Sequence, residues 1–116
     1  MQLTFSEIPE GFFKLCHLKE LKEGQGKRFF ANDAEVAVFL LKGKVYAVSN
    51  ACPHQHSAVI YDGFIEEEYV ICPVHGWKFS LHDGRQPTGQ RGLDSYDVIV
   101  SDNYIYVKVL KKELKW

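Results

Sequence analysis

The sequence has 116 residues and a formal net charge of −1, with 46% hydrophobic and 25% charged residues. This length allows one or two packed layers around a single core, and the composition is ordinary for a globular protein. The balanced charge argues against nucleic acid or an anionic membrane as a partner. The longer apolar runs, such as Ala34–Leu41, fall far short of the roughly 20 residues that span a bilayer.

The N-terminal ten residues contain no basic stretch followed by an apolar one, which is the pattern of a secretory leader. We therefore expect a cytoplasmic protein. The three cysteines would then lie in a reducing compartment, which argues against a disulfide framework and raises the question of metal binding.

Short runs of β-branched and aromatic residues separated by turn signals predict a chain built mostly of strands. Hairpins are expected around residues 42–44 and 102–103, and a turn at 82–85. No segment shows sustained helical periodicity, and Leu15–Glu23 is the best candidate for a short helix, which Gly24 would end. The predicted strands are Phe12–His17, Glu35–Leu41, Val45–Ser49, Tyr69–Cys72, Gly76–Leu81, Ser95–Ser101 and Tyr104–Leu110. The pattern indicates an antiparallel β-sandwich or small barrel.

Residues 50–92 differ in composition from the rest of the chain. They contain three of the four prolines and four of the five histidines. We expect a single domain over residues 1–116 in which this stretch is a loop-rich insert carried on a β scaffold. Function tends to lie on loops of this kind.

Two clusters within the insert carry metal-binding chemistry: Cys52-Pro53-His54 and Cys72-Pro73-Val74-His75-Gly76, separated by 17 residues. Each contributes one thiolate and one imidazole, and the proline after each cysteine stiffens its loop. Two thiolates and two imidazoles suit either tetrahedral zinc or an iron–sulfur cluster.

The spacing of the ligands favours the iron–sulfur cluster. Zinc sites usually pair Cys with Cys and His with His, whereas each loop here mixes the two. The single residue between Cys52 and His54 suits ligands that bind two different metal ions. A Rieske centre has this division, with two Cys on one iron and two His on the other.

The segment 50–92, with the strands on either side, resembles the Rieske family, in particular soluble Rieske ferredoxins and the ferredoxin-like domains of ring-hydroxylating oxygenases. The resemblance rests on C-x-H and C-x-x-H, on the run from Cys72 to Phe79, and on Asp83-Gly84-Arg85. It implies a Rieske-like antiparallel β-sandwich with a small cluster-binding subdomain and one [2Fe–2S] cluster per chain. It also implies that Cys52 and Cys72 bind the inner iron, that His54 and His75 bind the outer iron, and that a third loop beginning near Pro87 covers the cluster.

Some residues depart from the family pattern. His56 stands where the family often has a small residue, commonly glycine, so the departure concerns the local geometry of that loop and not the ligand set. High-potential Rieske proteins carry a disulfide-forming cysteine at the positions of Ser57 and Val74, and a serine and a tyrosine at those of Trp77 and Phe79. Hydroxyl donors to sulfur stabilise the added electron, so their absence predicts a potential on the order of −150 mV.

The resemblance implies a one-electron carrier that takes electrons from a flavin- or nicotinamide-linked reductase and passes them to a terminal oxygenase or another acceptor. One alternative is the small Rieske-like subunit of a nitrite reductase. Another, of a different class, is a structural zinc-binding interaction module. The chain alone is not expected to be a catalyst, because protein side chains fill all four ligand positions and leave none for substrate.

Overall fold

The computed structural model describes residues 8, 11–31, 34–51, 59–74, 76–89 and 92–109. These residues form three antiparallel sheets, with strand orders β1-β10-β9, β2-β3-β4-β8 and β5-β6-β7. The strands are β1 Phe12–His17, β2 Gly26–Ala31, β3 Ala34–Leu41, β4 Lys44–Ser49, β5 Phe64–Glu66, β6 Tyr69–Ile71, β7 Lys78–Ser80, β8 Ser95–Tyr96, β9 Val98–Ser101 and β10 Tyr104–Lys108. The predicted all-β class is confirmed.

Strand β3 lies between two hydrophobic clusters, because successive side chains of a strand point to opposite faces. Val36 and Val38 belong to a cluster with residues of β1 and β10, whereas Ala37 and Phe39 belong to one with residues of β6 and β7. All four residues are fully buried. The four-stranded sheet thus carries the small β5-β6-β7 sheet on one face and the β1-β10-β9 sheet on the other.

The predicted hairpins at 42–44 and 102–103 are present. Lys42 and Gly43 have φ of 52° and 78°, and Asp102 and Asn103 have φ of 51° and 65°. Two-residue loops with two positive φ angles match the right-handed twist of the strands they join. The local turn chemistry therefore fixes the registers of β3 with β4 and of β9 with β10.

The candidate short helix at Leu15–Glu23 is wrong in its extent. Residues up to His17 belong to β1, and only Leu18–Glu20 form a single 3-10 turn. The His17 ring accepts from the Lys19 N–H at 3.1 Å, and the Glu20 carboxylate accepts from the His17 N–H at 2.8 Å. These two bonds form a capping box at the start of the turn. The turn ends after three residues because the chain returns to an extended conformation at Leu21, with φ of −97° and ψ of 147°.

The prediction of one strand over Ser95–Ser101 is also wrong, because the chain changes sheets at Asp97. Strand β8 pairs with β4, whereas β9 pairs with β10. The Asp97 carbonyl accepts from the Lys108 N–H at 3.0 Å, at the crossing point. Strands β2 and β5 were not predicted. Each is an edge strand, and the short β5 exposes Phe64 to 67%.

The helical segments among the described residues are single 3-10 turns at Leu18–Glu20 and Ile60–Asp62. Neither has the length or the apolar character to cross a membrane.

Candidate metal centre

The β6–β7 hairpin positions the second predicted ligand cluster. Beyond the paired residues Ile71 and Lys78, the Cys72 N–H donates to the Trp77 carbonyl at 2.8 Å. The Cys72 carbonyl in turn accepts from the Gly76 N–H at 2.9 Å. Gly76 has a φ of +73°, and a Cβ there would meet no atom within 4 Å. Glycine is therefore required at this point by the backbone conformation and not by lack of space.

Cys72 is fully buried, whereas the loop that follows it is exposed. Its side chain belongs to the core cluster that includes Ile60, Val70 and Phe79. Val74, two residues later, is 44% exposed, and Pro73 is exposed as well. The thiol thus lies in an apolar environment, and the residues that follow it in sequence are exposed to solvent.

Asn50 holds the base of the first predicted ligand loop. Its backbone N–H donates to the Glu35 carbonyl at 3.0 Å, and its carbonyl accepts from the Ile60 N–H at 3.1 Å. Its side-chain Oδ1 accepts from the Tyr61 N–H at 2.7 Å. Asn50 itself is fully buried. The chain therefore leaves the four-stranded sheet after Asn50 and returns to the same residue at Ile60.

Gly63 joins the bases of the two ligand loops. A Cβ on Gly63 would lie 2.6 Å from the Ile71 carbonyl oxygen and 2.7 Å from Val70 Cγ2. Only glycine allows the turn that follows the first loop to pack this closely against β6, which leads directly into Cys72. The two predicted ligand segments therefore start from one packed region. Neither Asn50 nor Gly63 was singled out from the sequence, because their roles depend on contacts between distant residues.

A third loop closes beside this region. The Leu93 N–H donates to the Gly84 carbonyl at 2.7 Å, which joins the two ends of the segment that contains Pro87. Ser49, which precedes Asn50, bonds Asp94 twice: its N–H donates to the Asp94 carbonyl at 2.9 Å, and its Oγ accepts from the Asp94 N–H at 3.1 Å. The segment predicted to form the third loop is thus tied to the strand that carries the first.

Of the four predicted ligands, Cys72 alone lies within the described residues. Cys52, His54 and His75 lie outside them, as do His56 and Ser57. No three His, Cys, Asp or Glu side chains converge to hold a metal ion in the part of the chain that the structure describes. The complete ligand set therefore stays a prediction.

The remaining histidines of the described part have partners of their own. His17 caps the 3-10 turn, and His82 Nε2 lies 2.6 Å from Glu68 Oε1. The His82 ring also packs against Tyr46 in a T-shaped arrangement. The hydrogen bond from His82 and its charge lower the pKa of the Glu68 carboxyl. These contacts account for both histidines without a metal.

Cys16 is a core residue. It is buried in β1, and burial, helped by the charge of Glu20, raises the pKa of its thiol to about 11. A thiol with so high a pKa is neither a good nucleophile nor a good metal ligand at neutral pH.

The chemistry of the donor set fits an iron–sulfur cluster. A buried thiol among aliphatic and aromatic side chains suits a sulfur-bonded centre, whereas a hard cation prefers oxygen ligands and retains water. Phe79 lies in the same hydrophobic cluster as Cys72 and Trp77 packs against that cluster, so apolar side chains line this side of the site. Such a shell favours a redox centre whose potential depends on hydrogen bonds to its sulfurs.

Comparison with known proteins identifies related sequences. Residues 11–108 match the family model of the Rieske-like [2Fe–2S] domain. The chain is 29% identical over 102 residues to the ferredoxin subunit of 3-phenylpropionate/cinnamic acid dioxygenase from Photorhabdus laumondii subsp. laumondii, with 85% of this chain and 95% of that protein aligned. It is 35% identical over 73 residues to cholesterol 7-desaturase nvd 1 from Ciona intestinalis, but it spans only 16% of that longer protein.

The fold has a close structural counterpart. A crystal structure described as the small subunit of an NADH-dependent nitrite reductase from Mycobacterium tuberculosis superposes with a TM-score of 0.81 over 97% of this chain and 99% of that one. The two sequences are 24% identical, so this similarity establishes the shared fold.

Proposed function

This chain belongs to the Rieske-like [2Fe–2S] domain family and binds one [2Fe–2S] cluster, and we propose that it is an electron carrier. It takes single electrons from a flavin- or nicotinamide-linked reductase and passes them to a terminal oxygenase. The observation that supports this role is the alignment with a dioxygenase ferredoxin subunit over 95% of that protein's length. The longer desaturase relative contains much more than the matching region, so its activity is not transferred to this chain.

In this proposal, Cys52 and Cys72 hold the inner iron and His54 and His75 hold the outer one. When bound, the cluster supplies reversible one-electron chemistry. The chain provides the surroundings: buried Cys72 and Phe79 exclude water on the inner side. Pro73 and Val74 follow Cys72 in the second ligand loop, and both are exposed, so a partner protein can reach this loop.

The residues around the cluster favour a low potential. Trp77 and Phe79 have no hydroxyl group, and Phe79 is fully buried among apolar side chains. An apolar shell disfavours the extra negative charge of the reduced cluster. A potential of about −150 mV, at the low end of the Rieske range, suits electrons from a flavin or nicotinamide source. We place such a carrier in the cytoplasm, where these reductants are available.

The first experiment measures the metal. Purified protein should contain about two iron and two acid-labile sulfide per chain and should show an EPR signal after reduction. Zinc at one per chain, without sulfide, would instead support the structural zinc-binding module.

The second experiment tests the ligands individually. Cys52→Ser, Cys72→Ser, His54→Ala and His75→Ala should each lose the cluster, because metal binding is coupled to folding of the loops. His17→Ala and His82→Ala are matched controls, since both rings have structural partners of their own. Loss of the visible spectrum in either control would overturn the ligand assignment.

The third experiment tests the partner. Stopped-flow reduction of the protein by candidate reductases, followed by oxidation with a terminal oxygenase, should give turnover that depends on the concentration of this chain. The small subunit of a nitrite reductase is the alternative, suggested by the shared fold. Stable association with a nitrite-reducing flavoprotein, and no electron transfer to oxygenases, would favour that alternative.

A further inference from the structure

The side-chain amide of Asn50 contains a buried donor with no acceptor among the described residues. Asn50 is fully buried, and its Nδ2 has no hydrogen-bond partner in that part of the chain. Its other three polar groups are all bonded, to Glu35, Ile60 and Tyr61. Because Oδ1 accepts from the Tyr61 N–H, the orientation of the amide is fixed and Nδ2 must point elsewhere.

An unsatisfied buried donor is costly, so its presence requires a reason. Leaving such a group without a partner costs about 1–3 kcal/mol, and native proteins contain few of them. The backbone groups and Oδ1 of Asn50 already hold the loop base without using this donor. The second donor of the amide therefore points to an acceptor outside the described residues.

The position of Asn50 suggests what that acceptor is. Asn50 precedes Cys52 by two residues, and its bonds to Ile60 and Tyr61 tie it to the 3-10 turn that begins at Ile60. Ile60 belongs to the same buried cluster as Cys72. The amide thus lies at the base of one predicted ligand loop and is bonded to a turn whose first residue, Ile60, shares a hydrophobic cluster with Cys72. In this apolar region, the sulfur atoms of a cluster and its thiolates are the acceptors that binding would add.

We propose that Asn50 is a positioning residue that closes the first ligand loop and donates a hydrogen bond from Nδ2 to a sulfur of the bound cluster or of a ligand cysteine. The inference rests on the proposed cluster site. A donor to sulfur stabilises the reduced state more than the oxidised state, because reduction adds negative charge. Asn50 would then supply a donor in a chain that lacks hydroxyl groups at positions 77 and 79.

Two variants remove the donor in different ways. Asn50→Asp retains an oxygen that can accept from the Tyr61 N–H, but it replaces Nδ2 with a second oxygen and adds charge. Asn50→Leu removes the donor without adding charge, and it also removes the Tyr61 bond. Ser49→Ala is the matched control. It removes one side-chain hydrogen bond from the residue next to Asn50, namely the bond that Ser49 Oγ accepts from the Asp94 N–H.

The direct measurement uses the wild-type protein. Chain made with asparagine labelled with ¹⁵N only at the side-chain amide is reduced, and pulsed EPR is used to detect ¹⁵N coupled to the cluster. We expect a ¹⁵N coupling that disappears in Asn50→Asp, although Asn32 and Asn103 remain labelled. The reduction potential should fall in both Asn50 variants and should stay at the wild-type value in Ser49→Ala.

The outcomes separate this inference from the proposed function. Wild-type protein without iron and sulfide would overturn both. An intact cluster with no ¹⁵N coupling would overturn the inference alone and would mean that water or a loop carbonyl accepts from Nδ2. A lowered potential in Asn50→Asp but not in Asn50→Leu would mean that charge and not donor loss is responsible, which also overturns it. If Asn50→Leu does not fold, the labelled wild-type spectrum still decides.

Discussion

Gly63→Ala tests whether the two ligand loops depend on close packing at their bases. Gly63 has φ −73° and ψ 165°, a conformation that alanine adopts without strain. On backbone grounds the substitution should stabilise the protein by about 0.4–1 kcal/mol, since alanine reduces the entropy of the unfolded chain. The surroundings of Gly63 predict the opposite sign.

The magnitude follows from three distances. The new Cβ would lie 2.6 Å from the Ile71 carbonyl oxygen, 2.7 Å from Val70 Cγ2 and 3.0 Å from the Ile60 carbonyl oxygen, whereas ordinary contacts begin near 3.4 Å. The Ile71 carbonyl belongs to β6, the central strand of its sheet, and cannot rotate away. The turn must therefore move by about 0.8 Å. Overpacking of this kind costs about 1–3 kcal/mol, which outweighs the entropic gain.

The assay combines urea unfolding with iron analysis. Gly63→Ala should unfold at lower urea and retain less iron, because the movement separates the turn after the first loop from the strand that leads to Cys72. Gly43→Ala is the control: its φ of +78° makes alanine strained, but a Cβ there meets no atom within 4 Å. The hairpin also lies at the opposite end of β3 and β4 from Ser49, which precedes the first ligand loop. The Gly43→Ala protein should lose stability and keep its iron. A Gly63→Ala protein as stable as wild type would refute the reasoning.

Three further predictions follow from single side chains. Phe79→Tyr should raise the reduction potential by about 40 mV, because a hydrogen bond from the new hydroxyl to sulfur is worth about 1 kcal/mol. Voltammetry measures the shift. An unchanged potential together with reduced stability would mean that the hydroxyl is buried without a partner. Cys16, with its pKa raised to about 11, should resist iodoacetamide at pH 8 in the folded protein and react after unfolding; rapid labelling of the native state would contradict its burial. The lowered pKa of Glu68 means that its pairing with His82 stabilises the fold above the ordinary carboxyl pKa of 4.5 and is lost as pH falls through the lowered value. The wild-type protein should therefore lose a small part of its free energy of unfolding between pH 6 and pH 3, and His82→Ala should lose less. Identical acid unfolding curves for the two proteins would count against the pair.

The sequence by itself determined the features that short stretches of chain encode. A run of apolar and β-branched residues marked the buried strand β3, and two-residue turn signals marked the hairpins at 42–44 and 102–103. The two Cys/His clusters identified the iron–sulfur chemistry that the family match supports. These predictions succeed because the strand preference of β-branched residues, the φ angles of a turn and the type of a metal ligand depend on neighbouring residues.

Only the tertiary structure decided which distant segments meet. The edge strand β2 has no clear alternation, and it forms because β3 offers it a complete partner. The sheet change at Asp97 arises because one continuous run of residues pairs first with β4, through β8, and then with β10, through β9. The roles of Asn50 and Gly63 likewise come from contacts with residues eight to eleven positions away or in another strand. Close approach and burial of this kind arise from packing across the whole fold, so no local pattern in the sequence records them.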